Sequence, residues 1–273
     1  MGMVVRTNTM GINANRQLNM NNSAVSKSLE KLSSGFRINR AGDDASGLAI
    51  SEKMKAQIKG LEQASSNAQD AISLVQTAEG ATTEIHNMLN RMVELCTKAA
   101  NGIYDTGVDR PAIKSELDAL ATEITRITTS TNFNNTKLLD GNFSDKVFQI
   151  GTESDDKLTV SIANLSATAL TVNALSVGTT ADANAAISTV KTAINKVSET
   201  RAGLGAIQNR LEYTINTLDT TAENMTAANS RIRDTDMAKE MMNYTKMNVL
   251  TQAAQAMLAQ ANQQPQSVLQ LLQ

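Results

Sequence analysis

The stretch Ile187–Ile232, ISTVKTAINKVSETRAGLGAIQNRLEYTINTLDTTAENMTAANSRI, decides the fold. Its larger apolar residues Ile187, Val190, Ile194, Val197, Leu204, Leu211, Ile215, Leu218, Met225 and Ile232 recur at steps of three, four or seven. Alternation, the mark of a half-buried strand, is absent. A mean near 3.5 residues keeps one apolar seam pointing at a partner along the whole length, which is the pattern of helices wound around one another.

Three further tracts repeat the spacing. The first passes through Leu18, Val25, Leu29, Leu32 and Phe36. The second is long, from Met54 and Ile58 through Leu61, Ile72, Val75, Ile85, Leu89 and Met92 to Cys96. The third, Ile113, Leu117, Leu120, Ile124 and Ile127, opens at Asp109 with Pro111 just inside, which is helix-start chemistry. Between Asn132 and Thr180 the pattern changes. Asn134-Asn135, Asp140-Gly141-Asn142 and Asp155-Asp156 signal turns, and Lys146–Ile150 and Lys157–Ile162 alternate as strands do. The expected fold is mainly α: a long antiparallel helical rod or coiled-coil bundle with a small β-hairpin region at its distal end. Residues 1–43 with 234–273 are expected to form one domain from both termini. Residues 44–233 are expected to form a helical rod domain, with the β-rich excursion at about 132–180.

Met247–Gln273 carries no charged side chain, yet Gln252, Gln255, Gln260, Asn262, Gln263 and Gln264 interrupt it. A membrane span needs about 20 predominantly apolar residues, and a solvent-facing helix carries charges on its outer face. The tail fits neither description. Its apolar side chains, worth roughly 1.5–3 kcal/mol each when fully buried, are too few to offset a backbone ordering cost of roughly 1–2 kcal/mol per residue. Such a segment orders when packed against something else, and it reads as an assembly element.

Composition narrows the function. The net charge of −2 and an aromatic content of 3% give no basic stripe interleaved with aromatics, so neither nucleic acid nor an anionic membrane is an expected partner. The single Cys96 excludes an internal disulfide and falls on an apolar stripe, where a free cysteine packs as a small hydrophobe. The first thirty residues show no secretory signal pattern, because Arg6 and Arg16 flank no sustained apolar core. Ordinary secretion is not expected; export through a dedicated, non-cleaving machine remains open.

Several long motifs carry a family resemblance. Ser33–Asn39 (SSGFRIN), Asp43–Ser51 (DDASGLAIS) and Gln76–Ala81 (QTAEGA) resemble the N-terminal signature of bacterial flagellins. Arg201–Glu212 (RAGLGAIQNRLE), Ser230–Ala238 (SRIRDTDMA) and Ala256–Gln263 (AMLAQANQ) resemble the C-terminal one. The likeness covers roughly 1–140 and 185–273 and leaves little room for large outer domains, so it implies a short flagellin with only the two inner domains. It further implies a structural subunit that polymerises into the flagellar filament for motility, exported unfolded through the flagellar secretion apparatus. Its termini would fold on assembly as a coiled coil lining the filament core. Implied partners are further copies of the chain, an export chaperone on the C-terminal segment, and the hook-junction and cap proteins. The hook–filament junction protein shares the terminal features and is the nearest alternative. A receptor-binding module or secreted effector, with polymerisation secondary, is a more distant one.

The candidate assembly residues are Leu18, Val25, Leu29, Leu32, Met237, Met241, Leu250, Met257, Leu258, Leu269 and Leu272. Methionines concentrate in the terminal segments (Met10, Met20, Met237, Met241, Met242, Met247 and Met257 among them), and their flexible thioethers suit a core shared among neighbours. The resemblance adds a candidate contact with the vertebrate Toll-like receptor for flagellin at Leu89, Asn90, Arg91 and Glu116, with Asn90 standing where Gln is usual. For the bacterium, the same residues read as subunit contacts within the filament.

No catalytic, metal or cofactor site is expected. Asp43-Asp44 lacks the spacing of a calcium loop and precedes a long helix, where capping explains it. Gly203-Leu204-Gly205 begins a dinucleotide fingerprint but lacks its third glycine and a preceding strand. His86 is the only histidine, which excludes the HExxH zinc site of a few enzymatic flagellin variants and removes Ser–His and Cys–His nucleophile pairs.

Overall fold

The computed structural model describes residues 7–271, with side chains placed through 263. The protein is mainly α-helical. In chain order it contains α1 (Thr9–Ser34), α2 (Ala45–Ala99), α3 (Asp109–Ser130), β1 (Asn132–Phe133), β2 (Thr136–Lys137), β3 (Lys146–Gln149), β4 (Lys157–Val160), α4 (Thr180–Arg233) and α5 (Met237–Leu271). The four apolar tracts fall on α1, α2, α3 and α4. It divides into two compact units, Met1–Ala56 with Asn224–Gln273, and Gln57–Glu223.

In the second unit the seams read from the sequence are the buried faces. Along α2, Ala68, Ala71, Val75, Ala78, Ile85, Leu89, Met92, Cys96 and Ala99 are buried at alternating three- and four-residue spacing or multiples of it. On α4, Ala183, Ala186, Val190, Ala193, Val197, Leu204, Leu211 and Leu218 do the same, and α3 adds Ile113, Leu117, Ala121 and Ile124. The alanines at the ends of these seams leave little side chain between backbones. The start of α4 is closed by reciprocal hydrogen bonds: Thr179 N–H donates to Asp182 Oδ2 and Asp182 N–H to Thr179 Oγ1, both at 3.1 Å.

The β-rich excursion is two antiparallel hairpins followed by irregular chain. β1 pairs with β2 through Asn134 and Asn135, whose φ of 46° and 62° give the left-handed turn that asparagine tolerates. β3 pairs with β4 in the register Lys146↔Val160 to Gln149↔Lys157. The strands are shorter than the alternation predicts, because Ile150, Ser161 and Ile162 lie past the paired register. Residues 161–179 form no strand, but Ile162, Leu165, Leu170, Val172, Leu175 and Val177 are buried in the core.

In the first unit α1 and α5 pack as an antiparallel pair. Its register is fixed at one end by Asn8 Nδ2 donating to Ala261 O at 2.8 Å, and at the other by Thr235 N–H donating to Gly35 O at 2.9 Å. Phe36 is a correction to the first tract: α1 stops at Ser34 because Gly35 takes φ 73°, a left-handed C-cap, with its N–H bonded to Lys31 O. Phe36 then lies in the connector, bridged to Asp234.

Candidate functional site

The site is the surface of the α1–α5 pair. On α1, Gly11, Ala14, Leu18, Asn21, Val25, Ser28 and Leu32 are buried or half-buried, at steps that alternate between three and four. On α5, Glu240, Tyr244, Met247, Thr251, Ala254, Leu258 and Ala261 follow the same alternation. These two heptad stripes form the seam between the helices. Small and polar groups hold most of its positions, so the seam buries little apolar surface for its length.

The rest of the pair's surface points away from that seam. Met10, Ile12, Met20 and Leu29 on α1, and Met237, Met241, Met242, Val249, Leu250 and Met257 on α5, are between 41% and 64% exposed, or 67% for Met242. Large apolar side chains are exposed along the whole pair, with no charge on α5 beyond Lys246, and exposed apolar surface of this extent is a feature of interaction sites. The candidate assembly residues therefore separate. Leu18, Val25, Leu32 and Leu258 lie on the seam, whereas Leu29, Met237, Met241, Leu250 and Met257 face outward. Leu269 lies in α5 with its side chain outside the described residues, and Leu272 lies outside them altogether.

Two connectors join at the foot of this pair. Arg37 N–H donates to Arg233 O at 2.6 Å, and Arg233 Nη1 donates to Glu52 at 2.6 Å. Arg233 and Lys55 both stand over the Phe36 ring, 4.7 and 5.8 Å from its centre. The hydrogen bond from Arg233 holds the Glu52 carboxyl below its usual range. Asp43 and Asp44 close the α1–α2 connector as caps. Asp43 accepts from the Arg40 and Asn39 backbone N–H groups, and Asp44 from the Gly47 N–H at 2.8 Å, which lowers both carboxyls. Ser51, fully buried, donates to Asn229 Oδ1 at 2.7 Å.

On the second unit, Arg91 donates to Glu116 from Nε at 3.0 Å and Nη2 at 2.9 Å, and to Glu94 from Nη1 at 3.0 Å. These partners hold the guanidinium protonated beyond its ordinary range, Glu116 first. Asn90, Arg91 and Glu116 are exposed, but Leu89 is fully buried in the core. The surface at this place is therefore built from Asn90, Arg91, Glu94 and Glu116. Cys96 is buried on the same helix, and burial pushes its thiol up to about 11. Among the described residues no group of three or more His, Cys, Asp or Glu side chains is placed to hold a metal ion, and no described helix is long and apolar enough to cross a membrane.

A mainly α-helical chain whose paired terminal helices leave an apolar face uncovered belongs to the class of self-associating structural proteins. The chain is a member of the bacterial flagellin family. The family model "Bacterial flagellin N-terminal helical region" matches residues 5–144, and "Bacterial flagellin C-terminal helical region" matches 187–272. It is 51% identical to a flagellin of Bacillus subtilis (strain 168) over 304 aligned residues, and 51% identical to one of Halalkalibacterium halodurans over 274, covering 99% of this chain and 100% of each relative. The crystal structure of Bacillus cereus flagellin superposes with a TM-score of 0.52 at 34% identity, covering 60% of this chain and 94% of that one.

Proposed function

We propose that this chain is the structural subunit of a bacterial flagellar filament, and that the outward face of α1 and α5 is what neighbouring subunits cover. It is a structural protein and not an enzyme. The observation that carries the surface assignment is the exposure of Met10, Met20, Met241, Leu250 and Met257 on a helix pair whose own seam holds small or polar residues at most of its positions. Contacts of this kind are heterologous, one patch meeting a different patch, and when they do not close they generate helical filaments.

The mechanism couples folding to assembly. A seam in which small and polar residues separate Leu18, Val25, Leu32, Met247 and Leu258 leaves the α1–α5 pair marginal in the free subunit, and docking locks it by covering the outward apolar residues. The same marginality suits export as an unfolded chain through the flagellar secretion apparatus, with an export chaperone on the charge-free C-terminal segment. Hook-junction and cap proteins would meet the filament at its two ends. On this reading residues 1–43 with 234–273 form the filament-core domain, and residues 44–233 form the rod domain.

The exposed group Asn90, Arg91 and Glu116 is the candidate contact for the vertebrate Toll-like receptor for flagellin. An arginine fork held in place by Glu116 and Glu94 is a suitable interface anchor. Within the filament the same group serves contacts between subunits.

Seeded polymerisation of the purified chain, followed by negative-stain electron microscopy and circular dichroism, tests the reading. Long uniform filaments with a gain in helix support it. Absence of growth on seeds would turn the assignment to the junction protein or a secreted module.

A further inference from the structure

The methionines are sorted by environment. Met10, Met20, Met237, Met241, Met242 and Met257 are 48–67% exposed, and all six lie on α1 or α5. The core methionine of the second unit, Met92, is fully buried. The antiparallel register pairs residue 8 with 261 and residue 35 with 235, so the exposed thioethers are spread along the pair: Met10 near the level of Met257, Met20 near that of Leu250, and Met237 to Met242 opposite the end of α1. Cys96, the only thiol, is buried and held in its unreactive protonated form. Among the described residues, then, the sulfur most open to an oxidant is the thioether sulfur of these six, on the surface proposed for assembly, whereas Met54, Met88, Met225 and Met247 are half-buried.

We infer that these six methionines are reversible oxidation sites that gate assembly: sulfoxide formation on the free subunit blocks polymerisation, and assembly shields the same sulfurs. This rests on the filament reading above. The oxidant is a peroxide. The methionine sulfur attacks one peroxide oxygen and the O–O bond breaks. An S–O bond forms, and the second oxygen leaves as water, so sulfur loses two electrons and the peroxide gains two. Thiolate formation is not required, so the reaction follows exposure rather than pKa. The product replaces an apolar, flexible side chain with a strongly polar acceptor, and burying that acceptor without a donor opposes docking. A thiol-dependent methionine sulfoxide reductase reverses it.

The full-length chain supplies the test. Monomer is treated with dilute hydrogen peroxide and mapped by peptide mass spectrometry. It is then assayed for growth on sheared seeds of the same protein, before and after methionine sulfoxide reductases of both stereospecificities. The six sites are expected to oxidise ahead of Met92 and to be protected in filaments. The critical concentration should rise by at least about tenfold and return after reduction. A variant carrying Met→Leu at all six positions, compared with its own untreated critical concentration, should show no further rise after peroxide. Unchanged growth of oxidised monomer, or a variant as peroxide-sensitive as the parent, would overturn the inference. Failure of untreated monomer to elongate seeds would overturn the filament reading and the gate with it.

Discussion

Arg233 lies with its guanidinium 4.7 Å from the centre of the Phe36 ring while its Nη1 donates to Glu52. The stack ties the connector after α1 to the end of α4, the place where the chain turns into α5. A cation over an aromatic face contributes about 0.5–2 kcal/mol, the larger figure when water is excluded, and the Arg233 side chain is only 14% exposed. Phe36→Leu keeps the apolar bulk and removes the ring. Hydrogen exchange in α1 and in the first turns of α5 should quicken by about fivefold or more, with the second unit unchanged.

The caps make a pH prediction with a definite sign. Hydrogen bonding from the Gly47 N–H, then Ser46, depresses the folded Asp44 carboxyl relative to the unfolded chain, and Asp43 is depressed by the Arg40 and Asn39 N–H groups. A depressed carboxyl contributes stability above its ordinary value, and that contribution is lost as pH falls through about 4 toward the folded value. Thermal melts of the parent should therefore drop between pH 5 and pH 2 more than those of Asp44→Asn, which retains an acceptor without the titration. Equal drops would show that other groups set the acid response.

The core of the second unit should behave as a packed interior. Leu117 on α3 is 1% exposed among the seams of α2 and α4. Leu117→Ala removes that bulk and should cost about 2–5 kcal/mol, read as a fall in the urea midpoint with little change in slope.

Arg91→Ala separates folding from recognition. Exposed ion pairs contribute little to stability, so the melting of the second unit should hold. On the proposed contact, binding to the ectodomain of the vertebrate Toll-like receptor for flagellin is expected in the parent and should fall by about tenfold or more in the variant, as for an interface anchor. Unchanged binding would remove Arg91 from the contact.

The sequence carried the helices because their seams are continuous: Ile187, Val190, Ile194 and Val197 hold one register, as do Leu89, Met92 and Cys96. It misread Phe36, since nothing in periodicity reveals that Gly35 turns left-handed. Residues 161–179 were opaque for the opposite reason: Leu165, Leu170, Val172 and Leu175 are core residues in irregular chain, and burial without a period leaves no pattern to read. The surface proposed for assembly shows in the sequence as a segment but not as a set of outward positions. A charge-free tail with apolar residues all round does not say that Leu258 faces α1 while Met257 faces out. Leu89 and Arg91 are two residues apart, so a helix turns one to the core and the other to solvent.

That division of faces is also where the account is most exposed to test. The measurement is seeded elongation of the double variant Leu250→Asp, Met257→Asp beside the parent, with circular dichroism of both monomers. Both positions are exposed and off the α1–α5 seam, so the variant monomer should keep the parent's helix content. A buried, unpaired carboxylate at each subunit contact should abolish growth at concentrations where the parent forms long filaments. Growth of the variant at the parent's critical concentration would contradict the assignment of this face to neighbouring subunits.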